Sequence, residues 1–426
     1  MTNFSKDLQA ALYTGQSAPA IDCGEPVAAT ELWSLTGQFA GGLHARNVQR
    51  GETVAIQLSA PLEYLVAVYG TLRNGSVPVI VPTAFDADET TAALDAVEAT
   101  ALVSDDSQAT YLLTKVDPLR LLIAHDVDRA PLGVAFEDVL VGEGLSPGGS
   151  RTGVDVVRRA DDDLALIAFL GSADLTGSTT PGIDADADHP PAVTFTHAGV
   201  RSAVDAGGVA PLGAAVERHL GTYRLDDPIG LLYGATSTIV HGGCFCPLAS
   251  WDVTVALGRL AEVDRAYVSP SQYEDLVEVA DELRRRSVDR PESGGVDTSQ
   301  VVAAAVTERI AETVLVVDPT RVAADAPAGE VRRVCATPAT GITHVRSPQD
   351  VEAGRLGQPV GTVDATVIGD RTGELAIASA AATSYLHPRR TAALVRETDD
   401  RRWSKTGATV RLDGGTIAFE RTDESE

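Results

Sequence analysis

Between Thr53 and Asp106 the chain alternates short apolar runs with amphipathic ones: "TVAIQLS" (53–59), "PLEYLVAVYGTLRN" (61–74), "SVPVIVP" (76–82), "ETTAALDAVEA" (89–99) and "TALVSDD" (100–106). Short β-branched runs joined by helical stretches predict parallel βαβ units with buried strands, and the gaps leave no room for another architecture. A helix precedes them over "TELWSLTGQFAGGLHARNV", with Thr30 as its expected N-cap. A Gly/Ser/Asp-rich connection follows over 142–163, and then the alternation resumes. "LALIAFL" (164–170), "PIGLLYG" (228–234) and "RAYVS" (265–269) read as strands; "AGVRSAVDAGGVA" (198–210), "VTVALGRLAEV" (253–263) and "SQYEDLVEVADELRRRS" (271–287) read as helices. This predicts a second α/β unit. After Gly354 the pattern changes to short strands separated by turn residues, "DATVIGD", "GELAIAS" and "ATVRLDG", which predict a small antiparallel barrel.

A chain of 426 residues with 44% hydrophobic content can bury one large core or two to three smaller ones. Its 60 acidic residues outnumber 34 basic ones for a net charge of -26, and only Lys6, Lys115 and Lys405 are lysines. Such an acidic, lysine-poor surface stays hydrated in concentrated salt, so a halophile-type protein is expected. The charge argues against nucleic acid or an anionic membrane as partner, since the longest basic cluster is Arg284-Arg285-Arg286. No run of about 18 apolar residues occurs and "MTNFSKDLQA" lacks the apolar core of a signal peptide, so a cytoplasmic protein without membrane insertion is expected. Cys23, Cys244, Cys246 and Cys335 are too few and scattered for a disulfide framework. Cys244 and Cys246, with His241 nearby, have two readings: buried free thiols, which the apolar context favours, or part of a metal site.

The segment "FLGSADLTGSTTPGIDADADHPPAVTFTH" (169–197) places glycines and hydroxyls directly after a strand. Gly171, Gly177 and Gly182 with Ser172, Thr176, Ser178, Thr179 and Thr180 supply the small residues whose backbone N–H groups cradle an anion. Yet the segment contains no lysine or arginine, and Asp174, Asp184, Asp186 and Asp188 stand where a polyphosphate would lie. Asp184, Asp186 and Asp188 have the spacing that begins a calcium loop, but His189 occupies the glycine position and Phe195 the closing glutamate; a solvated acidic loop is the better reading. No G-x-S-x-G, G-x-x-x-x-G-K-[ST] or H-E-x-x-H motif occurs, and His197, His241 and His344 read as structural.

From Gly354 the motifs run "GRLGQP", Gly373-Glu374-Leu375, Ser384-Tyr385, Trp403 to Ala408, Asp413-Gly414 and Glu420 to Asp423. This order resembles the end of the large domain of adenylate-forming enzymes, the acyl-CoA synthetases, peptide-synthetase adenylation domains and luciferases. Their G-x-x-G-x-P, G-E-L, G-Y, W-x-x-T-G-D, D-G and G-R-x-D run in the same sequence. The stretch from Thr30 to Pro82, "TFTHAGVRSAV" and "SGGVDTSQVVAAAVTERI" resemble earlier parts of the same domain. The resemblance implies two doubly wound α/β subdomains, about 1–150 and 160–350, and a β-barrel subdomain over 354–415. Together they form a large domain over 1–415, with a truncated hinge at 416–426 and the small C-terminal domain absent.

Members of that family join a carboxylate to the α-phosphate of ATP with Mg²⁺, then pass the acyl group to a thiol. The corresponding positions here have lost the chemistry. The phosphate loop has no lysine; Cys335, Ala336, Thr337 and Pro338 stand at the tyrosine, glycine, threonine and glutamate of the metal motif; Ala408 replaces the aspartate that anchors the ribose. The lysine of the C-terminal domain has no substitute, since Lys405 lies before the hinge and reads as solvated. Gly171, Ser172, Thr176, Gly177, Ser178, Thr179, Thr180, Thr337, Gly407 and Arg421 are what remains of a vestigial nucleotide site. The expectation is a degenerate relative that is inactive alone, has a binding or regulatory role, and needs no cofactor. It would act beside an active relative. Two alternatives stay open: an active ligase using ATP and Mg²⁺ that is completed by a separate C-terminal domain protein, and a carrier of a small apolar or acyl ligand.

Overall fold

The computed structural model describes residues 3–106, 109–126, 132–141, 156–171, 189–208, 216–288, 314–317, 332–337, 339–379, 381, 384–387, 395–398 and 401–419. Their strands form three sheets. The first runs Ser384–Tyr385, Ala192–Thr196, Leu164–Phe169, Val77–Ile80, Thr53–Gln57, Ala101–Ser104, Leu121–Ala124, Val134–Ala135. From Leu164–Phe169 to Val134–Ala135 the pairing is parallel, and the other end is antiparallel. The second runs Gln358–Pro359, Gly341–Arg346, Arg332–Thr337, Val314–Val317, Arg265–Val268, Arg218–Gly221, Cys244–Pro247, Pro19–Asp22, Pro26–Ala28, again parallel in its middle. The third is a five-stranded antiparallel sheet built from residues 364–419.

The expected βαβ units are present because each central strand is apolar on both faces. Val54 and Ile56 enter one core while Ala55, between them, enters the core on the opposite face. Helices Pro61–Arg73 and Ala87–Ala96 cross between them, the second closed by a capping box of Asp86 and Glu89. Helix Phe4–Gly15 was not anticipated, although Phe4, Leu8 and Leu12 recur at the helical interval and are all buried.

Three readings are corrected. Leu164–Phe169 lies not with Arg265–Val268 but in the first sheet, between Val77–Ile80 and Ala192–Thr196, while Pro19–Asp22 and Pro26–Ala28 join the second. The two α/β units are therefore interleaved along the chain. "PIGLLYG" is not a strand but most of a π-helix, Ile229–Thr236, whose described residues are all buried. An apolar run bounded by turn residues has no periodicity to separate these outcomes; here Gly230 decides it, because the segment packs against its own preceding turn with no space for a side chain. Thr30 is not an N-cap: helix Ala29–Ala45 follows Ala28, which makes no side-chain cap, and Thr30 Oγ1 donates to the Gln16 carbonyl at 3.1 Å. No helix among the described residues is long and apolar enough to cross a membrane.

A methyl on Gly230 would come within 2.0 Å of the Arg224 carbonyl oxygen, a backbone atom that cannot swing aside. Gly230→Ala is expected to lower unfolding stability by about 1–3 kcal/mol in denaturant titrations at fixed KCl. A change inside about 0.5 kcal/mol would show that the π-helix tolerates the bulk.

Candidate functional site

In doubly wound sheets, ligands bind outside the carboxyl ends of the strands where the winding reverses. The first sheet reverses at Thr53–Gln57, whose chain continues to one neighbour, Val77–Ile80, before returning to the other, Ala101–Ser104. The loops there bond to each other and to the second unit. Ser59 N donates to Asp105 Oδ2 at 2.8 Å, and its hydroxyl bonds the same oxygen. Thr83 N donates to Asp226 Oδ2 at 2.9 Å, and Arg224 closes the group on Asp226 at 2.7 Å and on the Thr83 hydroxyl. This crevice is a clasp between units.

Of the residues expected to form a nucleotide site, Gly171, Thr337 and Gly407 lie within the described structure; Ser172, Thr176, Gly177, Ser178, Thr179, Thr180 and Arg421 lie outside the described residues, as do Asp174, Asp184, Asp186, Asp188 and Pro338. Gly171 follows the strand Leu164–Phe169, whose exit is fixed by Leu170 N donating to the Pro191 carbonyl at 2.8 Å. Thr337 ends the strand Arg332–Thr337, and its hydroxyl is committed to the next turn. It accepts from Thr340 N at 3.0 Å and shares a bond with Thr340 Oγ1 at 2.8 Å. Counted position by position from Cys335, a Y-G-x-T-E motif puts its carboxylate at Ala339 rather than at Pro338, and Ala339 is buried and apolar.

Gly407 occupies a bulge in the strand Arg401–Asp413 with φ 77°, a left-handed backbone that favours glycine. Its N–H donates to Glu374 Oε1 at 3.1 Å, and Glu374 Oε2 pairs with Lys405 at 3.7 Å. Lys405 is thus half-buried in an ion pair rather than fully solvated. Next to Gly407, Ala408 is 3% exposed and shares one apolar cluster with Cys335, Leu375, Val410 and Phe419. The structure so brings together two positions that sequence reasoning matched separately to the metal motif and the ribose anchor, and an apolar cluster encloses both. The described donor set does not fit magnesium and ATP.

Sequence reasoning missed a cavity of about 260 Å³ beside the helix His197–Gly208. Its walls come from that helix, from Tyr233 of the π-helix, from Ile342, from residues 360–363, and from Ser379 and Ala381. The helix is anchored by Arg201, whose guanidinium pairs with Asp7 at 2.6 Å and Asp161 at 3.3 Å, and by Ser237 Oγ donating to the Val204 carbonyl at 2.8 Å. Tyr233 Oη rests against Gly341, where an added methyl carbon would lie 1.5 Å from it, and is hydrogen-bonded by the Ile342 backbone. Burial pushes the Tyr233 phenol well up. Its walls draw on segments from residue 198 to residue 381, so no local pattern announces the cavity.

His197, which begins the helix, is 2% exposed and held down at about 4, by burial first and then by Arg159. His219 is held down at about 3 by burial and Arg265, and His344 at about 4 by burial. Cys244 and Cys246 are buried free thiols on the strand Cys244–Pro247, and no group of three His, Cys, Asp or Glu is placed to hold a metal among the described residues.

The model of the AMP-binding enzyme family matches residues 9–381, and the chain belongs to that family. Its fold is that of the large N-terminal domain of the adenylate-forming superfamily. The Klebsiella oxytoca NpsA N-terminal subdomain in complex with 3-hydroxyanthranilyl-AMSN is similar at TM-score 0.70 and 17% identity, over 98% of this chain and 99% of that one. Apo MatB from Rhodopseudomonas palustris matches at TM-score 0.71 and 18% identity, over 99% and 79% of the two chains. Unliganded O-succinylbenzoate coenzyme A synthetase from Bacillus subtilis matches at 0.72 and 16%, over 99% and 79%. At these identities the likeness concerns the fold. No match is found among curated proteins.

Two outcomes test the site's physics. Ala408→Asp sets a carboxylate into the apolar cluster, and is expected to lower stability by roughly 2–4 kcal/mol in denaturant titrations; unchanged stability would mean that the position is open to solvent or cation. The folded state keeps His197, His219 and His344 neutral while an unfolded histidine protonates near 6.5, so their contribution to stability is present above that pH and is lost as pH falls below it. Ring NMR signals of the 8 histidines should show three that do not titrate between neutrality and pH 5. Titration of all eight near 6.5 would contradict their burial.

Proposed function

We propose that this chain is a degenerate AMP-binding family member that does not carry out ATP-dependent ligation by itself and serves as a small-ligand binding or regulatory module in a salt-rich cytosol. The observation that carries this reading is that Ala408, at the position of the ribose aspartate, is buried in an apolar cluster, while Ala339, at the position of the metal carboxylate, is buried and apolar as well. Other features support it. Thr337 spends its hydroxyl on a local turn, and the segment after Gly171 offers four aspartates and no cation. Salt screening can mute repulsion between those aspartates and a polyphosphate, with a Debye length of about 3 Å at molar salt, but it supplies no donor.

The extent of the chain does not by itself account for such a loss, since a subdomain of matching span from NpsA is known in complex with 3-hydroxyanthranilyl-AMSN. The reading rests on side chains. What the fold retains is a cavity with an apolar wall and a few polar groups, the usual makeup of a small-molecule site.

Isothermal calorimetry of the full chain with ATP and Mg²⁺ in multimolar KCl tests the proposal. Binding weaker than about millimolar is expected; clear micromolar binding, worth about 8 kcal/mol, would overturn it and favour a ligase completed by a partner domain.

A further inference from the structure

The cavity beside the His197–Gly208 helix carries an electrostatic signature of its own. One cation, Arg201, faces three carboxylates, Asp7, Asp161 and Asp205. Arg201 is engaged with the first two, whereas Asp205, on the cavity wall, has no ion pair among the described residues. Partial burial pushes the Asp205 carboxyl above its ordinary range, and His241 and Arg201 nearby only oppose that rise while Asp7 adds to it. A carboxylate without an ion-pair partner beside an apolar wall favours a cation and repels an anion.

The rest of the cavity limits what that cation can be attached to. Ile342, Val360, Val363 and Ala381 form an apolar wall, which rules for an organic body over a hydrated inorganic ion. The volume of about 260 Å³ exceeds the roughly 150 Å³ that accepts a benzene ring in an engineered protein cavity.

From these groups we infer that the cavity binds a small aromatic or aliphatic amine, its ammonium at Asp205 and its apolar body against Ile342 and Val360. The inference rests on the binding-module reading and specifies the class of ligand. It sets this cavity apart from one that selects carboxylic acids, since a carboxylate here would meet Asp205 with no free cation to offset it. Tyr233 is held in place by Gly341, whose φ of 66° and lack of a side chain let the phenol tip lie against the backbone.

Tyramine, phloretate and p-ethylphenol share a phenol and differ at the other end by an ammonium, a carboxylate or a methyl group. Titrated into the full chain in multimolar KCl and followed by saturation-transfer NMR, tyramine should bind at least about tenfold more tightly than phloretate, a preference that survives molar salt only through direct contact. Asp205→Asn, a change at an exposed position, should erase that preference and leave p-ethylphenol unaffected. Equal binding of tyramine and phloretate, a preference that persists in Asp205→Asn, or no binding of any probe would overturn the inference. Those results leave the calorimetry with ATP and Mg²⁺ untouched, and micromolar ATP binding would overturn the binding-module reading whatever the amines do.

Discussion

Two long-range strand pairings hold this fold in one piece. Ile21 of Pro19–Asp22 sits opposite Phe245 in the second sheet, and Leu164–Phe169 returns to the first sheet with Val79 opposite Ile167. Each carries chain from one α/β unit into the other, so neither sheet can complete itself from a contiguous stretch. An ion pair secures the first: Arg218 donates to Asp22 at 2.8 Å and holds the Asp22 carboxyl below its ordinary range. Around this frame the clasp of Thr83, Arg224 and Asp226 ties the carboxyl ends of the first sheet to the segment leading into the π-helix. Tyr69 Oη adds a buried bond to Thr236 Oγ1 at 3.0 Å. The cavity lies downstream of this frame, because its walls are the helix, π-helix and barrel segments that the frame brings together.

Much of the fold was legible as local pattern. The alternation from Thr53 to Asp106 and the short strands after Gly354 correspond to βαβ units and an antiparallel sheet. Sheet membership was not legible, since a strand buried on both faces looks alike in either sheet; Leu164–Phe169 carries no residue that says which neighbour it takes. The π-helix escaped for a related reason, that a fully apolar run has no polar face to reveal its period. Phe4, Leu8 and Leu12 do offer a helical interval, but the segment is short enough that three apolar positions are its whole signal.

For the site, motif order singled out Thr337, Gly407 and Ala408, which the fold places at a strand terminus and in a bulge within a strand. Their environment was beyond reach. Nothing local indicates that Cys335 and Ala408, so far apart in the chain, share one apolar cluster, or that Thr337 turns its hydroxyl toward Thr340. The replacements suit one another: a thiol and a methyl pack together where two polar groups would each have needed a partner. Asp205, which no motif marks, is one of the polar groups that line the cavity.

Exchange of labelled pyrophosphate into ATP reports reversible adenylation of a carboxylic acid directly. With the full chain in multimolar KCl, Mg²⁺ and a panel of aromatic and aliphatic acids, exchange at the level of the acid-free blank is expected. Exchange that requires both Mg²⁺ and one of the acids would contradict the loss of ligase chemistry.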